Sequence, residues 1–202
     1  VILSLFVATF SWAAPAPFKN NRIDIVGGNK AVANDWKFTV SLQYRGEHWC
    51  GGVLISPQWV LTAAHCIVLG EMSARVETSK SGADHGKLIK IVQEVRHPKY
   101  QTLTPFNYDF ALVKLEKPSK GELIELNEED IYAQFLDGLP MFDVAGWGVH
   151  EMTYHKAAED LIAVQVPLVP VDICLRTYGA RFTTAMFCAG YSKGVKDACQ
   201  GD

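Results

Sequence analysis

An apolar run, Trp59-Val60-Leu61-Thr62-Ala63-Ala64, ends in His65-Cys66. A run of that kind needs a sheet to bury it, and it fixes the backbone on which the histidine stands. The chain offers partners of the same kind. Thr39 to Gln43 alternates polar and apolar residues, and Gly52 to Ile55 meets the Trp59 run across the turn Ser56-Pro57-Gln58. Lys87 to Val95 alternates, with Ile89, Ile91 and Val95 expected on one face. Ala111 to Leu115, Phe142 to Trp147, Leu161 to Val169 and Ala185 to Ala189 complete the set. Short strands separated by turns predict an all-β barrel or sandwich. Val171 to Arg176 reads as a short helix with Asp172 near its start, and Glu116 to Gly121 begins a polar crossing between two halves.

Composition bounds the function. The chain has 202 residues, 49% of them hydrophobic, and a formal net charge of −3. That supplies a core and gives no basic surface for nucleic acid. The opening Val1 to Ala8 is apolar and reads as the later part of a secretory signal, cleaved after Ala13 or Ala14. Pro15 and Pro17 end the run too early for a membrane span. Secretion permits disulfides, and the cysteines number five, an odd count. A zinc site on His48, Cys50, His65 and Cys66 has no CxxC or HExxH spacing behind it. No metal and no cofactor is expected.

The residues able to do chemistry come in a telling order. His65 is followed by Asp109 in Asn107-Tyr108-Asp109-Phe110-Ala111-Leu112, and then by Asp197-Ala198-Cys199-Gln200-Gly201-Asp202. Ile25-Val26-Gly27-Gly28, Cys50-Gly51-Gly52 and Gly146-Trp147-Gly148 stand between and before them. Together these motifs resemble those of the chymotrypsin/trypsin-type serine proteases, in that family's order, from about residue 25 to residue 202. In the family's pattern the nucleophilic serine would follow Asp202.

The resemblance implies a fold of two antiparallel β-barrels with the active site between them. The first barrel is expected over about 25 to 120 and the second from about 140, incomplete in this chain. It implies a signal peptide over 1–13, a short propeptide over 14–24 and a peptidase domain over 25–202. It also implies Cys50 paired with Cys66 and Cys174 with Cys188, with Cys199 bound to a cysteine beyond residue 202. His65 would be the general base and Asp109 the residue that orients it. Gly201 would donate a backbone N–H to the oxyanion, and Asp197 would lie at the base of the primary specificity pocket. Ile25, as a new N-terminus, would pair with Asp202.

Two departures matter. Trypsin-like zymogens place arginine directly before the Ile-Val-Gly-Gly stretch, whereas Arg22 here is followed by Ile23-Asp24. The nucleophile is missing, and neither Ser81 nor Ser192 stands in its motif. The expected function is secreted endopeptidase cleavage after Arg or Lys, with the chain as given inactive. Expected partners are protein or peptide substrates and protein protease inhibitors, with no nucleic acid, no membrane after signal removal, and a monomeric state. The alternative is a non-catalytic homologue that binds or regulates, since a fold does not by itself confer activity.

Overall fold

The computed structural model describes residues 29–128, 130–132, 138, 140–151 and 156–191. Six antiparallel strands close into a barrel: β2 (Thr39–Tyr44), β3 (Glu47–Ser56), β4 (Trp59–Thr62), β5 (Met72–Val76), β6 (Lys87–Arg96) and β7 (Ala111–Leu115). The order around the barrel is β2-β3-β4-β7-β6-β5. Alternation builds its interior. Ala111, Val113 and Leu115 of β7 point inward and are buried, as are Val60 of β4 and Val40 and Leu42 of β2. Gly52 sits where β3 crosses the next strand, and a Cβ there would lie 2.8 Å from Val60 Cγ1 and 3.1 Å from the Leu61 carbonyl. Strand approach, not a special backbone angle, demands glycine at that point.

A second, antiparallel sheet is built on β11 (Ile162–Val169). One edge of β11 carries β8 (Met141–Gly146), and the other carries β1 (Asn29–Lys30) and β12 (Cys188–Ala189) at its two ends. A separate pair joins β9 (Val149–Glu151) and β10 (Lys156–Ala157). Among the described residues the second sheet does not close, as the incomplete second barrel led one to expect. The helix α1 (Val171–Tyr178) follows Pro170, which suits a helix start, and runs two residues past the expected end. An Asp172–Arg176 ion pair at 2.9 Å lies along it, and Cys174 is its buried residue.

Three expectations are corrected. Val95 does not share a face with Ile89 and Ile91: the β6–β7 register shifts between Ile91 and Gln93, and Val95 turns outward. An extra residue in a period-2 strand reverses every side chain beyond it. The strand foreseen over Ala185 to Ala189 is confined to Cys188–Ala189, because the Thr183 hydroxyl and carbonyl accept the N–H groups of Ala185 and Met186 and turn the chain first. The first barrel does not begin near residue 25 as a continuous unit, since β1 belongs to the second sheet.

The two halves dock through the loop between β5 and β6. The Ser79 carbonyl accepts the Trp147 indole N–H at 3.1 Å and the Leu161 N–H at 2.8 Å. The Ser81 hydroxyl donates to the Ala158 carbonyl at 2.6 Å. Arg75, buried although charged, holds this loop from within by donating to the carbonyls of Ala83 and His85. Lys80 pairs with Glu159 and Lys30 with Asp160 at the rim. Lys30 lowers the Asp160 carboxyl below its ordinary range, and Glu159 raises the Lys80 ammonium. The crossing that leaves β7 is also tied down. Glu77 accepts from Lys87 at 2.6 Å and from the Lys120 N–H at 2.9 Å, and Ser119 is buried beside it.

Candidate active site

The register of the barrel brings the reactive pair together. Thr62 at the end of β4 lies opposite Ala111 at the start of β7. The strands are antiparallel, so the chain leaving β4 and the chain entering β7 meet at one rim. Beyond Thr62 the chain turns through a single 3₁₀ turn, Ala64–Cys66, with Ala64 and Cys66 buried and His65 facing outward. Two buried neighbours hold the turn, and the Cys50–Cys66 disulfide ties it to β3.

On the other side Asp109 sits in a tight turn. Tyr108 has φ 53°, the left-handed region a tyrosine seldom adopts, and the Phe110 N–H donates to the Tyr108 carbonyl at 2.8 Å. The Tyr108 ring stacks on His97 with centroids 4.7 Å apart and planes 11° from parallel. This turn points the Asp109 carboxylate at the His65 backbone and ring. Oδ1 accepts the His65 backbone N–H at 2.8 Å, and Oδ2 meets the ring Nδ1 at 2.6 Å. A carboxylate facing Nδ1 assigns the proton to that nitrogen and leaves the Nε2 lone pair for another partner. The Asp109 side chain is 17% exposed and that of His65 52%. The acid is therefore sheltered and the base open to a reactant. Phe106 stands edge-on to the imidazole, with centroids 6.3 Å apart.

Such a pair can accept a proton from a hydroxyl at Nε2 and stabilise the resulting imidazolium through Asp109. It is not a metal site. The ligand atoms of Cys50, His65 and Cys66 lie within 4.8 Å of one another, but the two sulfurs are bonded to each other and offer no thiolate. The Ser81 hydroxyl donates to the Ala158 carbonyl rather than to an imidazole.

The sequence-predicted residues divide into two groups. His65 and Asp109 are brought into contact, and Cys50–Cys66 and Cys174–Cys188 are both bonded. Ile25, Asp197, Gly201 and Asp202 lie outside the described residues, as do residues 1–24, Ser192 and Cys199. Asn107 and Ser41 were given no role by the sequence reading. Asn107 is buried beside Asp109 and is linked to Thr183 from the second half. Ser41 meets His48 Nδ1 at 2.6 Å and accepts from Gln43 at 2.6 Å, with His48 edge-on to Trp147. No sequence signal marked the burial of Thr39, Ser41 and Gln43 on β2, because alternation alone assigns polar residues to an exposed face.

Comparison with known sequences gives the family. The sequence model of the trypsin family matches residues 25–202. The chain is similar to Trypsin 5G1 of Aedes aegypti, 38% identical over 186 residues that cover 88% of this chain and 68% of that protein. It is also similar to a trypsin of Phaedon cochleariae, 33% identical over 215 residues, 99% of this chain and 80% of that protein.

Proposed function

The chain belongs to the trypsin family of serine endopeptidases, and on that premise we propose that it is a secreted enzyme hydrolysing peptide bonds after Arg or Lys. The observation that carries the reading is the double contact between His65 and Asp109, at 2.8 and 2.6 Å. One contact fixes the histidine's backbone and the other its tautomer, which is what a general base needs from its orienting acid.

The reaction follows from these roles. A serine after Asp202 attacks the scissile carbonyl carbon as His65 Nε2 takes its proton. The carbonyl oxygen becomes an oxyanion, met by the backbone N–H of Gly201 and that of the serine itself. His65 then gives the proton to the leaving amine, and an acyl ester remains on the serine. Water, deprotonated by His65, releases the acid and restores the serine. Asp197 selects a basic side chain, because a carboxylate at the base of a narrow pocket is favourably paired only by a cation.

The start of the active enzyme is Ile25, whose ammonium reaches Asp202 and orders the Gly201 segment. Cleavage there follows Asp24, so it needs a protease other than a trypsin, or trimming after a cut at Arg22. The leader over 1–13 directs secretion and the segment 14–24 is removed, leaving the peptidase domain, which starts at residue 25 and of which 25–202 is a part. Protein substrates and protein inhibitors share the same cleft, and the enzyme works as a monomer.

The test is an assay of the full-length, activated protein on arginyl, lysyl and phenylalanyl amides. Turnover of the first two, abolished by His65→Ala, is expected. No turnover of any peptide substrate by correctly processed protein would reject the reading in favour of a non-catalytic homologue on the same fold.

A further inference from the structure

Thr183 and Asn107 join the two halves of the molecule beside the reactive pair, and we propose that they act as positioning residues that set the Asp109 turn relative to the second half. The proposal rests on the reading of His65 and Asp109 as the catalytic base and its orienting acid. The two residues are 76 apart in sequence, and their side chains meet at 2.6 Å.

The direction of this hydrogen bond is fixed by its surroundings. Asn107 Nδ2 donates to the Thr102 carbonyl at 2.7 Å, and a carbonyl can only accept. The amide is therefore oriented with Oδ1 toward Thr183, and the Thr183 hydroxyl must donate to it. Thr183 Oγ1 in turn accepts the Ala185 N–H at 3.3 Å. Asn107 is 1% exposed, and its main chain is committed as well: its N–H donates to the Thr104 carbonyl at 3.2 Å and its carbonyl accepts from Gln101 at 3.0 Å. A buried amide with every group engaged has one position.

That position is passed on to Asp109 through a single residue, Tyr108, in its left-handed conformation. The Tyr108 ring is fixed by His97, which belongs to the first barrel, at the start of the loop leaving β6. Asn107 is fixed by Thr183, which belongs to the second half. The Asp109 turn is thus anchored on both sides of the molecule. His65 and Asp109 both stand on the barrel, whereas the segment leading to Asp202 continues from the second sheet. A base on one body and a nucleophile carried by the other need a common reference. Among the described residues, the Thr183–Asn107 bond supplies that reference at the turn itself.

The test uses the full-length, activated protein with Thr183→Val, which keeps the shape and removes the donor, Thr183→Ala, and Thr183→Ser, which keeps the donor. Val and Ala are expected to lower kcat on an arginyl amide by about 10- to 100-fold with KM little changed, the scale of a misplacement approaching 1 Å. Ser is expected to restore most of it. The same proteins are followed by NMR at the His65 Nδ1–H, whose signal should broaden or shift in the Val and Ala variants and return in Ser. A merely structural role would lower the melting temperature and leave that signal and kcat unchanged, and this result would overturn the proposal. If the parent protein hydrolyses nothing, the Nδ1–H signal still decides: unchanged in Thr183→Val, it removes the positioning role whatever the enzyme's activity.

Discussion

Thr62 faces Ala111 across β4 and β7, and this one pairing delivers His65 and Asp109 to the same rim of the barrel. The distance between base and acid is therefore a property of strand register. A slip of the β4–β7 register would move Asp109 along the rim and break both contacts at once. The barrel interior resists such a slip, because Val60 and Val113, both fully buried, would turn outward.

Asp109→Asn should fold and fail to turn over. The asparagine amide can present an N–H to Nδ1, which then carries the lone pair and leaves the proton on Nε2, the wrong tautomer for a base. In this family's own reference case the corresponding change costs about 10⁴ in kcat, and a loss of that order is expected here. The checks are kcat on an arginyl amide and an unchanged thermal transition. A variant within a few-fold of wild type would mean that Asp109 does not orient the base.

The Cys50–Cys66 bridge should contribute to both stability and activity. It closes a loop with a sequence separation of 16, for which chain entropy predicts about 3 kcal/mol. Cys50→Ala with Cys66→Ala should therefore lower the free energy of unfolding by about that amount, measured in urea. Because Cys66 adjoins His65 in the same 3₁₀ turn, kcat should fall as well.

Acid should loosen the crossing between the halves through Glu77. The hydrogen bond from Lys87, together with that from the Lys120 N–H, holds the Glu77 carboxyl below its ordinary value. A folded-state value below the unfolded one means that Glu77 stabilises fully above the ordinary glutamate range. That contribution falls away as the pH drops through the lowered folded value. Melting temperatures of wild type and Glu77→Gln should differ near neutrality and converge as the pH falls from the ordinary glutamate range through the lowered folded value. A gap that stays constant across that range would place the effect in packing.

Asp197→Ser should change the choice of substrate more than the fold. If Asp197 lies at the base of the primary pocket as proposed, basic substrates lose far more kcat/KM than apolar ones, because a carboxylate there is favourably paired only by a cation. Profiling wild type and Asp197→Ser on a peptide library measures this. Equal losses on both substrate classes would mean that Asp197 acts through folding.

Much of this was legible in the sequence, for a physical reason. Period-2 alternation in Ala111–Leu115 and the apolar run ending at His65 report burial directly, so strands and reactive residues could be placed together. The strand Met72–Val76 was not seen, because Arg75 breaks its apolar pattern. That arginine is buried only because loop carbonyls of Ala83 and His85 receive it, a compensation no local pattern announces. The face of Val95 was misjudged because a bulge leaves no residue signature of its own. Asn107 was visible beside Asp109, but its partner Thr183 lies 76 residues away, beyond the reach of spacing arguments.

The pairing of β1 with β11 has a mechanical consequence. Among the described residues the polypeptide passes between barrel and second sheet twice, once between Lys30 and Thr39 and again after Leu115. A proteolytic nick in the later crossing should therefore leave the halves associated, strapped together by the earlier one through the β1–β11 pairing.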